Sequence, residues 1–224
     1  SITPITIQEA IYPGVSGISR TEDPVSVGIP IPDGSGITSE SQLSLSGANV
    51  GQFRILGRWP SGNAKWVLVD TQASLAAGAK NTSISLARGN GNFGGTNLAS
   101  DAGSSINIDT GVAQFNIKKN NFNIINSAVV NGKTIVAAGS SQGLVVTGPT
   151  PGQTTCGTCT TVYSSANDSS STAVIEENGP AKTVIKATGY HKDSGGNSYM
   201  AFTVRLTFYK GKGNVKVTSS LRNA

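Results

Sequence analysis

The chain has 224 residues, a mass of 22.8 kDa, a formal net charge of +5 and a pI near 9.3. That length suits one large β domain or two small ones. Charged residues make up only 13 % of the chain, about half the usual share of roughly 25 %, so Ser, Thr, Asn and Gly must supply the polar surface. The lysines are scattered, with local density only at Lys118-Lys119 and over Lys210, Lys212 and Lys216. Such a distribution does not give the single phosphate-contacting face of a nucleic-acid binder. No apolar run reaches the length of about 18 residues that a membrane span needs. The chain begins at Ser1 rather than Met, as a processed chain would, and trimming on expression would give the same start.

Gly (28) and Pro (9) interrupt the chain too often for helices of ordinary length. Short runs of Val, Ile, Thr and Phe alternate with polar residues and end in Gly, Asn or Ser clusters, the pattern of half-buried strands. Strands are expected over residues 5–11, 25–31, 42–45, 52–59, 65–71 and 82–87, then over 112–118, 122–130 and 143–146. A last group is expected over 172–177, 181–189, 200–209 and 214–221. Residues 88–105 read as a Gly/Asn-rich boundary, 147–161 as a loop with both cysteines, and 190–199 as a polar hairpin tip. Pro4 removes a backbone donor, which suits the segment from Ser1 to Ile11 to a sheet edge. With Ile5 and Ile7 as its apolar contacts, that segment is a candidate assembly strand for this sheet or a neighbouring subunit's.

Three stretches carry a resemblance. The first is Arg20-Thr21-Glu22-Asp23-Pro24-Val25-Ser26-Val27-Gly28-Ile29-Pro30-Ile31-Pro32. The second is Phe53-Arg54-Ile55-Leu56-Gly57-Arg58-Trp59-Pro60-Ser61-Gly62, running on into Lys65-Trp66-Val67-Leu68-Val69-Asp70. The third is Glu176-Glu177-Asn178-Gly179-Pro180 with Val204-Arg205-Leu206-Thr207-Phe208-Tyr209 and Leu221-Arg222-Asn223. Together they resemble the N-terminal part of the exo-rhamnogalacturonan lyase-like (YetA-like) proteins. The resemblance implies an all-β fold with a small RIFT-type β-barrel over residues 1–88, a linker over 89–105 and a β-sandwich over 106–224. It also implies an extracellular, glycan-related ancestry. No stretch resembles the helical toroid that builds the cleft in such enzymes, and no catalytic residue is carried across.

The residues themselves point away from a complete active site. Glycoside hydrolysis needs two carboxylates flanking one bond. Glu176 and Glu177 are adjacent, and strand neighbours point to opposite faces. His191 is the single histidine and is expected as an exposed residue of the polar hairpin tip. Cys156 and Cys159 have the spacing of half a zinc knuckle or a redox motif. Zinc needs four ligands and a redox pair should open a helix, so a local disulfide is expected and no metal or cofactor. If Gly62-Asn63 forms a two-residue turn, Trp59 faces Trp66 across a hairpin, as a sugar platform or a lid on the barrel core. Trp59, Trp66 and Tyr190 are therefore the glycan-contact candidates.

The expectation is a non-catalytic, secreted or cell-surface β module with a scaffolding, glycan-contacting or assembly role. Two alternatives remain: a fragment of a polysaccharide lyase whose catalytic domain lies outside this chain, and a filament subunit. The partners are a polysaccharide or further subunits, with no nucleic acid and no membrane span.

Overall fold

A computed structural model describes residues 2–11, 13–157 and 159–223. The fold is all-β. Among the described residues, seventeen strands are joined by turns and three single 3₁₀ turns. Two compact units emerge, one running to Asn97 and taking in Gly179–Lys182, the other running from Leu98 to Asn178 and resuming at Thr183.

The first unit holds β1 (Thr3–Gln8), β2 (Arg20–Pro30), β3 (Leu43–Ser46), β4 (Gly51–Arg58), β5 (Ala64–Leu75) and β6 (Lys80–Arg88). They form two three-stranded sheets, ordered β1-β6-β3 and β2-β5-β4. Alternation explains the core. Val67 and Val69 of β5, Ile84 and Leu86 of β6 and Leu43 and Leu45 of β3 turn inward and share one apolar cluster with Ile29, Ile31, Ile37 and Phe53. β1 pairs with β6 of its own chain, with Ile5 opposite Ile84. Ile5 is buried in the cluster and Ile7 packs against it, so these two candidate assembly residues serve their own unit. Ser1 lies outside the described residues.

The second unit is a sandwich. β7 (Ala99–Asp101), β8 (Ser105–Asp109), β9 (Ala113–Lys118), β10 (Ser127–Val130) and β11 (Lys133–Val136) form one sheet in the order β11-β10-β9-β8-β7. β12 (Val145–Gly148), β13 (Thr161–Ser164), β15 (Lys182–Lys192), β16 (Ser198–Tyr209) and β17 (Val215–Asn223) form the other, and β14 (Thr172–Asn178) pairs with β15. Ile106, Ile108, Phe115 and Ile117 of the first sheet meet Ile185, Phe202, Val204, Leu206 and Phe208 of the second. Phe115 and Phe208 touch across the layers with ring centroids 4.9 Å apart, the tilted contact that aromatic quadrupoles prefer.

Several expectations are corrected. The segment expected as a linker is structured. Phe93 exchanges backbone hydrogen bonds of 3.2 and 3.0 Å with Gly51, and Ala99–Asp101 is a strand. A β carbon at Gly51 would lie 2.4 Å from the Phe93 ring, so the close approach requires glycine. The strand expected over 122–130 starts only at Ser127. Asn121 and Ile124 have positive φ, which breaks the extended run. The Trp hairpin also differs. The Gly62 N–H donates to the Trp59 carbonyl at 2.9 Å and the Trp59 N–H to the Asn63 carbonyl at 2.8 Å. Pro60 therefore opens a longer turn that Gly62 closes at φ 89°. The register puts Trp66 opposite Gly57, not Trp59.

One buried ion pair lies in the first unit. Asp70 of β5 sits between Ser26 of β2 and Gln52 of β4 as their cross-strand neighbour. Its Oδ1 accepts from the Ser26 hydroxyl and from Lys182 Nζ at 2.9 Å, with the two charged side chains 4 % and 9 % exposed. Gln52 Oε1 accepts the backbone N–H groups of Ala181 and Lys182 at 3.2 and 2.9 Å. The turn Gly179–Lys182 is held by this polar set. Removing one member of a buried pair leaves the other charge without compensation, at a cost of about 3–5 kcal/mol. Lys182→Met should lower stability by that amount in urea unfolding, whereas Lys182→Met combined with Asp70→Leu should cost less than the single change.

Cys156 and Cys159 form the expected disulfide, with Cα atoms 5.3 Å apart, in an exposed loop. Thr158 between them lies outside the described residues. The closed loop is short, so chain entropy limits its contribution to about 2 kcal/mol at most. Reduction and alkylation should leave the strand circular dichroism signal unchanged and shift the urea midpoint only slightly.

Candidate functional site

The second unit carries a groove of about 570 Å³ on its sheet surface, lined in part by Thr172, Thr188, Tyr190, Thr203, Ser220 and Arg222. Strand alternation presents these groups. On β15, Ile185 and Ala187 face the core while Thr188 and Tyr190 are partly exposed. On β16 and β17, Thr203 and Ser220 are direct partners. Thr172 and Thr188 are likewise paired, with hydroxyls 3.1 Å apart. Tyr190 is 37 % exposed, and Arg222 has no ion-pair partner among the described residues.

Asp168 is the one carboxylate in the lining, and it is fully engaged. Its Oδ1 lies 2.9 Å from Lys192 Nζ and accepts from the Ser170 N–H and hydroxyl at 3.0 and 2.6 Å. Its Oδ2 accepts the Tyr190 N–H at 2.8 Å. Gly189 makes room for it, since a β carbon there would lie 2.7 Å from Oδ2 and 2.9 Å from the Phe202 ring. Burial pushes the carboxyl up. The hydrogen bonds from Ser170, Lys192 and Tyr190 outweigh that and hold it below its ordinary value of 3.8.

His191 is corrected from exposed to fully buried. β15 runs on to Lys192, so the tip shortens to Asp193–Asn197, closed by an Asp193 N–H bond to the Asn197 carbonyl at 3.1 Å. The imidazole packs edge-on to Phe202 at 5.5 Å. Its Nδ1 is 2.9 Å from the Met200 carbonyl, which makes Nδ1 the donor and leaves Nε2 without a partner among the described residues. Glu176 is held by Arg205 in a two-toothed pair of 2.6 and 2.8 Å. A bulge between Ile175 and Glu177 breaks the strict alternation assumed for the two glutamates. Among the described residues no group of three His, Cys, Asp or Glu side chains is placed to hold a metal ion.

The two tryptophans lie in the first unit. Trp59 donates Nε1–H to the Ile31 carbonyl at 2.9 Å and carries Lys65 Nζ 4.6 Å above its ring, so it is a packed structural residue. Trp66 is 43 % exposed, on the opposite side of β5 from Val67. The hairpin brings neither into register with the other.

Asp168 contributes stability that is present above its ordinary value of 3.8 and is lost as pH falls through its lowered folded value. Asp168→Asn should remove that acid limb from the stability profile of the second unit. It should also destabilise at neutral pH by about 1–3 kcal/mol, because Lys192 and a backbone donor lose a charged acceptor. An unchanged acid limb in the variant would refute the assignment.

Comparison with known proteins agrees with this architecture. A family model described as the PcRGLX-like protein central β-sandwich domain matches residues 98–223, and the compact second unit begins at the same residue, Leu98. A protein of Bacillus subtilis (strain 168) described as uncharacterized protein YetA is 27 % identical over 155 residues, covering 68 % of this chain. The chain spans 17 % of the length of that relative. With more than half its residues under the family model, the chain belongs to the PcRGLX-like family and carries that family's central β-sandwich domain in its second unit.

Proposed function

We propose that this chain is a non-catalytic, extracytoplasmic β module that contacts glycan through the groove of its second unit. The observation that carries the reading is the contrast within the groove. Its binding groups are accessible, and its one carboxylate is spent on structure. The Tyr190 ring offers an apolar face to a sugar ring, and the Thr and Ser hydroxyls can exchange water for sugar hydroxyls. Asp168 is enclosed by Lys192, Ser170 and the Tyr190 N–H, and the His191 ring is sealed below the surface. General acid–base catalysis needs such groups within hydrogen-bond reach of the reacting bond. The disulfide supports an oxidising compartment.

The match over 17 % of a longer relative favours a related second reading, in which this module serves a larger polysaccharide lyase-like protein whose chemistry lies in another domain. Both readings predict binding without turnover. Titrating the chain with rhamnogalacturonan oligosaccharides should give saturable binding, weakened roughly two- to tenfold by Tyr190→Ala. Ultraviolet absorbance for unsaturated products and assays for new reducing ends should stay at background. Binding indifferent to Tyr190→Ala would move the contact elsewhere, and turnover abolished by His191→Ala would overturn the non-catalytic reading.

A further inference from the structure

A sheet edge leaves every second pair of backbone N–H and C=O groups without a strand partner, so proteins usually blunt their edges with prolines, bulges or short strands. Most edges here are blunted in that way. β2 contains Pro24 and Pro30 and a register shift between Arg20 and Asp23. β1 contains Pro4 and a shift between Ile5 and Ile7. β4 has two shifts, and β3, β7, β11 and β12 have three or four residues each.

β17 differs. Among the described residues it ends its sheet, runs for nine residues without proline and pairs with β16 in an unbroken register from Met200↔Asn223 to Phe208↔Val215. Lys216 through Asn223 are all exposed. One face carries Val217 and Leu221, which are 49 % and 50 % exposed. The other carries Lys216, Thr218, Ser220 and Arg222.

Charge selects the partner. Arg205, Lys210, Lys212, Lys216 and Arg222 fall between Ser198 and Asn223, a stretch without an acidic residue, while the chain as a whole has 17 basic and 12 acidic residues. The rest of the chain is therefore balanced, and this hairpin accounts for the whole net charge. Arg205 is neutralised by Glu176. A second copy of β17 is a poor occupant. The antiparallel register that sets Val217 against Leu221 also sets Lys216 against Arg222, and like charges directly opposite repel.

We propose that the free edge of β17 is a strand-addition site for an extended acidic segment of another polypeptide. The segment sets carboxylates beside Lys216 and Arg222 and alternate apolar side chains over Val217 and Leu221. Backbone hydrogen bonds supply the affinity, and the alternation supplies the selectivity.

The test uses the whole chain and three labelled nine-residue probe peptides, read by fluorescence anisotropy. The first alternates glutamate with valine, the second has the same composition in two blocks, and the third alternates lysine with valine. The alternating acidic probe should bind at least about tenfold more tightly than the block probe, and added salt should weaken it. Lys216→Glu with Arg222→Glu should lose the acidic probe by about tenfold or more and gain the lysine probe, a gain that an unfolded variant would not show. Failure of the alternating acidic probe to bind would overturn the proposal, and so would equal affinity for the block probe, the mark of a mere cationic patch. A chain that sediments alone as a dimer, split by Leu221→Lys, would assign the edge to a second copy and overturn it as well.

Discussion

A carboxylate taken out of water must be neutralised and hydrogen-bonded where it lies, and the second unit is arranged around that requirement at Asp168. Lys192 at the end of β15 supplies the charge, and Ser170 and the Tyr190 N–H supply the remaining donors. Satisfying one side chain fixes the turn after β13 against the end of β15. That contact holds the last turn of β15 in strand geometry, which sends Tyr190 outward and His191 inward. It also demands glycine at 189, where any side chain would strike Oδ2 and the Phe202 ring. The groove is thus shaped by a carboxylate whose two oxygens are already engaged.

The same logic recurs in the first unit with different parts. Asp70 sits on a central strand, so its backbone is already paired and only its side chain needs partners. Ser26 and Gln52 flank it across the sheet, and Lys182 closes it. Such pairs contribute little net stability against an apolar replacement, yet they penalise any arrangement that separates the partners. In a chain with so few charges, they mark where the fold spends them on specificity, leaving Ser and Thr to meet solvent.

Much of the strand pattern was legible because β5, β9, β15 and β16 alternate apolar and polar residues. What escaped has local causes. β7 is only Ala-Ser-Asp, and β8 sets Ile106 and Ile108 among Ser, Asn and Asp, too short and weak a signal to separate from a loop. β11 follows Asn131-Gly132, both at positive φ, 49° and 75°, a two-residue turn with a readable signature. At residues 122–125 tertiary packing overrode propensity. Phe122 is fully buried against Phe202 at 5.7 Å, and the chain bends at Asn121 and Ile124 to place it there. His191 was misplaced because the polar residues after it suggested an early turn, although the inward series Ile185, Ala187, Gly189 leads directly to it. Tyr190 was accessible to sequence reasoning as an aromatic among polar residues. Asp168 carried no signal in the sequence, since its partners Lys192 and Tyr190 are distant along the chain and are brought to it only by folding.

The charge distribution adds a constraint that neither the core nor the groove requires. A core of Val, Ile and Phe needs no excess of lysine, and a surface rich in Ser and Thr is already soluble. The basic residues of this hairpin beyond Arg205, which pairs with Glu176, therefore need a separate physical reason. Protection of an edge is part of it, since a lysine on an edge strand opposes pairing with an identical edge. Protection alone does not explain the apolar face, because Val217 and Leu221 cost hydration where Thr or Ser would not. Charge that repels a like strand and apolar surface that rewards coverage together discriminate between partners: they disfavour self-pairing and favour a strand of opposite charge. The geometry of β17, long, regular and free of proline, is consistent with that selectivity and with no purely defensive role.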